Sequence, residues 1–192
     1  MKYYVVKYTG QFGFIKPWTA VRDSETFSQQ FLTPSIVAGI ERKLFPELLN
    51  HPFGIYKIKR HRLTYDQMSA QQEQIQPRGW NKKKNSATRE YAILIRSVLL
   101  NPVLFLAFET EEDAQIAFRQ HICLARNEDI LLPVDIQSVQ EEVFDSNEED
   151  FAGYELIFEE TDKSFMVGYN RFNEGKPMYG WLKTLGNPVK SF

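Results

Sequence analysis

Tyr91-Ala92-Ile93-Leu94-Ile95-Arg96 and Val103-Leu104-Phe105-Leu106-Ala107-Phe108, parted by Asn101-Pro102, decide how this chain is read. Each run is short, apolar and rich in β-branched or aromatic residues, and both are read as strands on either side of a break. A buried helix over Arg89 to Leu100 stays open, because periodicity does not separate short apolar runs.

Working outward, Thr110-Glu111-Glu112-Asp113 has the form of a capping box with acids in the first turn, where the helix dipole favours them. Ala114, Ala117, Phe118, His121, Ile122 and Ala125 follow at helical spacing. Upstream, Lys2 to Tyr8 reads as a strand closed by Thr9-Gly10. Thr33-Pro34 predicts a helix start carrying Ile36, Val37, Ile40 and Leu44 on one face and stopping at Pro46. After His51-Pro52, Ile55, Tyr56 and Ile58 predict a strand that puts Lys57 and Lys59 on one face. Asp66 to Thr88 loses its apolar pattern, is rich in Gln, and reads as a mobile excursion. Pro133 to Val143 predicts a strand and Glu141 to Asp150 an acidic loop. Tyr154 to Phe158 and Phe165 to Phe172 predict a hairpin joined around Thr161 to Ser164. The order strand, helix, strand, strand, helix, strand is that of a ferredoxin-like α+β domain, the scaffold also used by RNA-recognition domains.

With 192 residues and 43% hydrophobic side chains, the chain has enough apolar surface for one packed domain. Cys123 is the single cysteine, which excludes an internal disulfide; with the run of apolar residues nowhere reaching the ~18 of a membrane span, the expectation is a cytoplasmic protein without membrane contact. The apolar stretch after Met1 is too short for a signal peptide.

The formal net charge of -2 hides a segregation. Lys57 to Arg96 holds 10 basic against 3 acidic residues, and Glu109 to Asp162 holds 17 acidic against 2 basic ones. Such a division lets one face meet a polyanion and another a basic neighbour. Tyr56, Tyr65, Trp80 and Tyr91 are interleaved with the cations, so rings can stack on unpaired bases while Lys and Arg hold phosphates, a combination suited to single-stranded RNA. Tyr56 and Tyr91 read better as core, and Trp80, beside Gly79 and the Lys82-Lys83-Lys84 triplet, as functional. A second group, Phe12, Phe14, Lys16, Trp18 and Arg22, precedes the Thr33-Pro34 helix, whose free N–H groups and Ser35 hydroxyl suit a phosphate. Phe12 and Phe14 read equally as cover for the sheet.

Catalytic signals are sparse. No phosphate-binding glycine loop and no Gly-x-Ser-x-Gly motif is present. His51, His61 and His121 have no metal-binding cadence, so neither metal nor cofactor is expected. His121 with Cys123 is read as a packed histidine on an apolar helix face. His61, in Lys59-Arg60-His61-Arg62, is the best placed acid or base for metal-free RNA cleavage.

Gly10-Gln11-Phe12-Gly13-Phe14-Ile15-Lys16-Pro17-Trp18-Thr19, Phe27, and Leu32-Thr33-Pro34-Ser35-Ile36-Val37-Ala38-Gly39-Ile40 resemble the CRISPR-associated Cas-five subunits of type I Cascade complexes. Leu99-Leu100-Asn101-Pro102 is similar to the family's turn between two strands. The resemblance runs over roughly residues 1 to 140. It implies an RNA-recognition-like (RAMP) domain over 1–192 with an inserted thumb hairpin at about 66–88 and a C-terminal β-hairpin extension at about 151–192. It also implies a non-catalytic subunit that caps the 5′ handle of the CRISPR RNA, contacts the large subunit and the adjacent backbone subunit, and meets target DNA only through the complex. The branch that cleaves precursor RNA carries a Lys-His dipeptide, absent from this chain, so nuclease activity is not carried over.

The residues expected at RNA are therefore Lys16, Trp18, Arg22, Ser35, Lys57, Lys59, Arg60, His61, Arg62, Tyr65, Arg78, Trp80, Lys82, Lys83, Lys84 and Arg89. Two other functions are weighed: a metal-independent endoribonuclease using His61 with Tyr65 or a lysine, and a protein-protein adaptor that binds no RNA.

Overall fold

The computed structural model describes residues 1–17, 25–52, 54–75, 80–89, 92–124, 126–170 and 174–190. In chain order the first elements are β1 (Lys2–Thr9), β2 (Phe12–Gly13), β3 (Glu25–Phe27), α1 (Pro34–Leu44) and β4 (Ile58–Thr64). Then come β5 (Gln67–Ile75), β6 (Trp80–Lys83), β7 (Ser86–Arg89), β8 (Ala92–Leu100), β9 (Val103–Phe108) and α2 (Glu111–Phe118). The chain closes with β10 (Ile122–Cys123), β11 (Ile130–Gln140), α3 (Glu141–Ser146), β12 (Gly153–Ile157), β13 (Phe165–Asn170) and β14 (Lys176–Leu185). The fold is α+β, built on a large antiparallel sheet with few helices.

The main sheet runs β10-β11-β1-β9-β4-β12-β14-β13. Alternation along the strands divides the core between its faces. Val6 and Tyr8 of β1 and Leu104, Leu106 and Phe108 of β9 meet Val37, Ile40 and Leu44 of α1 and Ala114 and Ala117 of α2 on one face. Tyr3, Val5, Phe105 and Ala107 point to the other, where Phe144 of α3 and Phe151 cover them.

Both sides of Asn101-Pro102 are extended where described: β8 and β9 are strands, and no helix forms among the described residues of Arg89 to Leu100. The turn between them sets Asn101 at φ 47°. Asn is among the few residues that tolerate this left-handed backbone, and its amide donates to the Asp66 carboxylate at 2.7 Å.

Several expectations are corrected. The predicted strand over Ile55 to Ile58 begins only at Ile58, because the buried Glu41 carboxylate of α1 accepts the backbone N–H groups of Tyr56, Lys57 and Ile58 at 3.0, 2.6 and 2.8 Å. The Tyr56 and Lys57 N–H groups, committed to that carboxylate, are not available to a sheet ladder. Thr33 sits at the start of α1 with extended backbone but makes no side-chain cap; its carbonyl accepts from Ile36 and Val37 at 3.0 Å each. Thr110 does cap, accepting from the Asp113 N–H at 3.2 Å. The second helix nevertheless ends at Phe118, not near Ala125, because Ile122 and Cys123 pair with Leu131 and Ile130 at the sheet edge. His121 is consequently exposed rather than packed. Glu141 to Ser146 is a helix, not a loop, since Phe144 is drawn onto the sheet. Tyr154 to Phe158 and Phe165 to Phe172 do not form one hairpin: β12 and β13 lie on opposite sides of β14.

Candidate nucleic-acid interface

Within the expected excursion, the described residues form the strands β5, β6 and β7 of a ribbon. β5 pairs with β8 along its whole length, from Gln67↔Leu100 to Ile75↔Ala92. β2 and β3 join the other edge of β8, so Leu99 and Met68 at the ribbon's base are tied into the core. Arg96 is fixed partway along by an ion pair with Glu73 and lies over the Phe14 ring. At the far end β6 and β7 form a separate small hairpin, Trp80↔Arg89 to Lys83↔Ser86. Its Lys82 and Lys84 side chains are exposed, and Trp80 is 58% exposed. Lys83 and Arg89 hold strand positions there, and Arg78 lies outside the described residues. A cationic, aromatic tip on an anchored ribbon can reach a polyanion away from the core.

The basic strand β4 is different: Arg60 and Arg62, expected to hold an RNA's phosphates, are instead committed to partners inside the protein. Arg60 and Arg62 face α3. Arg60 donates from Nε and Nη2 to the two Glu155 oxygens at 2.5 and 2.7 Å, and from Nη2 to Asp145 at 2.7 Å. Arg62, with no solvent exposure, donates to the Phe144 and Phe151 carbonyls at 2.7 and 2.9 Å and to Glu155 at 3.0 Å. Its guanidinium lies over the Phe144 ring at 4.2 Å. Against the cost of its own burial, Asp145 is held down to about 2 by hydrogen bonds from Arg60 and Lys183. The Glu155 carboxyl, also buried, is lowered by Arg60. These arginines clamp α3 and the following loop to the sheet.

Just past the end of β4, Tyr65 is buried and donates to Gln30 at 2.6 Å, and burial pushes its phenol up to about 12. His61, 4% exposed, stacks on Phe158 with ring centres 5.2 Å apart. Burial pulls its imidazole down to about 4, with Glu155 opposing and Arg60 reinforcing. Lys57 is paired with Asp113 at 2.7 Å and Glu47 at 3.0 Å, and Lys59 with Glu109 at 3.3 Å. Only Lys59 of this group is exposed.

In the N-terminal group, Lys16 and Ser35 are exposed, while Trp18 and Arg22 lie outside the described residues. Phe14 is buried, with the Arg96 and Arg126 guanidiniums 5.3 and 5.6 Å from its ring centre, so it serves packing rather than stacking on bases. Tyr56, read as core, is 40% exposed, its hydroxyl donating to the Pro52 carbonyl at 2.9 Å. Tyr91 lies outside the described residues.

Sequence reasoning missed a cleft beside β4. β4 and β12 bridge at Leu63↔Tyr154 alone, although β4 stays paired with β9 back to Ile58 and β12 with β14 out to Ile157. Gly153 permits that one close approach: a Cβ there would lie 2.5 Å from Arg62 Cγ. Beyond it the strands part around a cavity of about 520 Å³, with Phe158, Trp181 and Lys183 in its wall. The charged Glu155 amid apolar Tyr154, Leu156 and Ile157 was the one available signal. Among the described residues no group of three His, Cys, Asp or Glu side chains could hold a metal ion, and no helix is long and apolar enough to cross a membrane.

No protein-family model matches the sequence, and no curated protein matches it. Among solved structures, the chain is similar to one from a structure titled "CRISPR RNA-guided surveillance complex". The TM-score is 0.56 at 12% identity, over 97% of this chain and 91% of that one. The two chains share a fold along nearly their full lengths.

Proposed function

We propose that this protein is a non-catalytic RNA-binding subunit of a type I CRISPR Cascade, of the Cas-five kind, that caps the 5′ handle of the guide RNA. The observation that carries the reading is the union of two features: a fold shared end to end with a chain of an RNA-guided complex, and a ribbon anchored in the core that presents Trp80, Lys82 and Lys84 to solvent. The order β11-β1-β9-β4, with α1 following β1 and α2 following β9 on one face, supports a ferredoxin-like (RAMP) core carrying the ribbon as a thumb. β12, β13 and β14 are then the C-terminal extension.

In this reading the ribbon tip and the exposed Lys16 and Ser35 hold the handle's phosphates, and Trp80 stacks on a base. The acidic segment Glu141 to Asp162 is left to meet protein neighbours, the large subunit and the adjacent backbone subunit, and target DNA is met through the assembly. The cytoplasm is the compartment where such an assembly works. Metal-independent cleavage is disfavoured by His61 and Tyr65: both are buried, and with Tyr65 one residue past the end of β4, four residues of extended chain set them ~13 Å apart. Sequencing RNA that co-purifies with the protein from its host tests the function. Repeat-derived 5′ ends are expected; material free of RNA supports the adaptor instead, and repeat RNA cut in chelator, lost in His61→Ala, supports the nuclease.

A further inference from the structure

We propose that the cleft between β4 and β12 takes in one unpaired nucleobase of the bound RNA, with His61 as the acceptor that reads its amino group. The inference rests on the RNA-binding reading above and adds a base-recognition site away from the ribbon.

The cleft exists because two strands that keep their outer partners separate after Leu63↔Tyr154. Their inner edges therefore carry backbone N–H and C=O groups without ladder partners, the kind of group that reads a base edge. At about 520 Å³ the cavity falls in the range that holds a nucleotide-sized ligand. Its aromatic walls are Phe158 and Trp181, and Phe158, 37% exposed, turns one face to His61 and leaves part of its surface to solvent.

Charge excludes phosphate as the group that enters. Lys59 is matched by Glu109, Arg60 by Glu155 and Lys183 by Asp145, and Glu159 adds a further carboxylate to the wall. A lining without net positive charge suits a neutral planar ring, with the sugar and phosphate left outside.

His61 supplies the selectivity. Its Nε2 is buried and has no hydrogen-bond partner. In the tautomer that carries its proton on Nδ1, Nε2 has a free lone pair, and this is the form the proposal takes. An acceptor sealed from water without a donor costs free energy until one arrives. Phe158 stacks on the face of this ring while the lone pair points along the ring's plane, so a base that displaces the side chains at that edge meets the acceptor with Phe158 beside it as a stacking surface. Adenine, cytosine and guanine carry an exocyclic amine that fits; uracil presents only an imide N–H between two carbonyls.

The test uses the full chain and fluorescently labelled eight-nucleotide homopolymers of A, C and U, titrated at one salt concentration and followed by anisotropy. Oligo(A) and oligo(C) are expected to bind about tenfold tighter than oligo(U), the worth of one buried hydrogen bond. His61→Phe, which keeps a ring but removes the acceptor, should bring the three within about twofold of each other. Phe158→Ala, at a site partly in solvent, should weaken all three by loss of stacking and serves if His61→Phe fails to fold. A preference unchanged in folded His61→Phe, affinities unchanged in Phe158→Ala, or equal wild-type binding of all three overturns the proposal. Equal binding that keeps its salt dependence removes the cleft alone, whereas binding to none of the three removes the RNA-binding reading as well.

Discussion

Arg62 Nη2 lies 3.0 Å from Glu155 Oε2, with the two side chains 0% and 1% exposed. A charge so placed is tolerable only while its partner is present, because removing one member strands the other in the interior. Arg62→Ala should therefore lower stability by about 3–5 kcal/mol, read from urea unfolding midpoints. The double variant Arg62→Met with Glu155→Leu should recover part of that loss. It should fall short of wild type because the Phe144 and Phe151 carbonyls lose their donor. A loss under about 1 kcal/mol in Arg62→Ala would show that the clamp on α3 contributes little.

Acid sensitivity follows from the same strand. As the pH falls, the unfolded His61 imidazole takes up a proton near its ordinary value of 6.5, whereas the folded one does so only near 4. The unfolded state binds more protons across that window, so stability falls from pH 6.5 to 4, by on the order of 3 kcal/mol. Below about 4.5 the lowered carboxyls of Glu155 and Asp145 act in the same sense, their contribution being lost as the pH falls toward 2. Unfolding free energies measured from pH 7 to 4 should show this slope, and His61→Phe should flatten it above pH 4.5. An equal slope in the variant would assign the sensitivity to other groups.

Glu41 anchors the chain between α1 and β4 through three backbone donors. Glu41→Gln has the same shape but offers one weaker acceptor oxygen and a superfluous amide donor. A loss of about 2–3 kcal/mol is expected, with faster hydrogen exchange at the Tyr56, Lys57 and Ile58 amides. Exchange at those three amides unaltered by the substitution would contradict this role.

Local signals were legible and distant pairings were not. The start of α1 at Pro34, the Thr110 cap and the two strands around Asn101-Pro102 are each decided within a few residues, by proline geometry, by a hydroxyl or by composition. The meaning of Arg60 and Arg62 is decided by Asp145 and Glu155, 85 and 93 residues downstream, so in sequence they pass for free cations. The same distance hides the insertion of β14 between β12 and β13, and the cleft that opens where β12 leaves β4. Charge density along a chain counts cations without telling which are already neutralised, and this is why Lys57 to Arg62 resembled an RNA-facing edge. The hairpin tip kept its sequence reading of Lys82 and Lys84 as exposed cations, because no carboxylate is paired with them among the described residues.

Replacing Lys82, Lys83 and Lys84 together by Ala separates the ribbon's contribution to RNA binding from that of the rest of the chain. Each phosphate neutralised on a single strand adds about 0.7 to the slope of log affinity against log salt, so the triple variant should lose about 2 from that slope. Stability should stay within about 0.5 kcal/mol of wild type, since the substituted positions lie on a hairpin tip outside both core clusters. Trp80→Ala should instead weaken binding by about 1–3 kcal/mol and leave the slope intact, because stacking releases no counterions. Anisotropy titrations of a labelled single-stranded RNA from 50 to about 300 mM salt read both effects. A triple variant with the wild-type slope would place the phosphate contacts elsewhere, with Lys16 the next position to substitute.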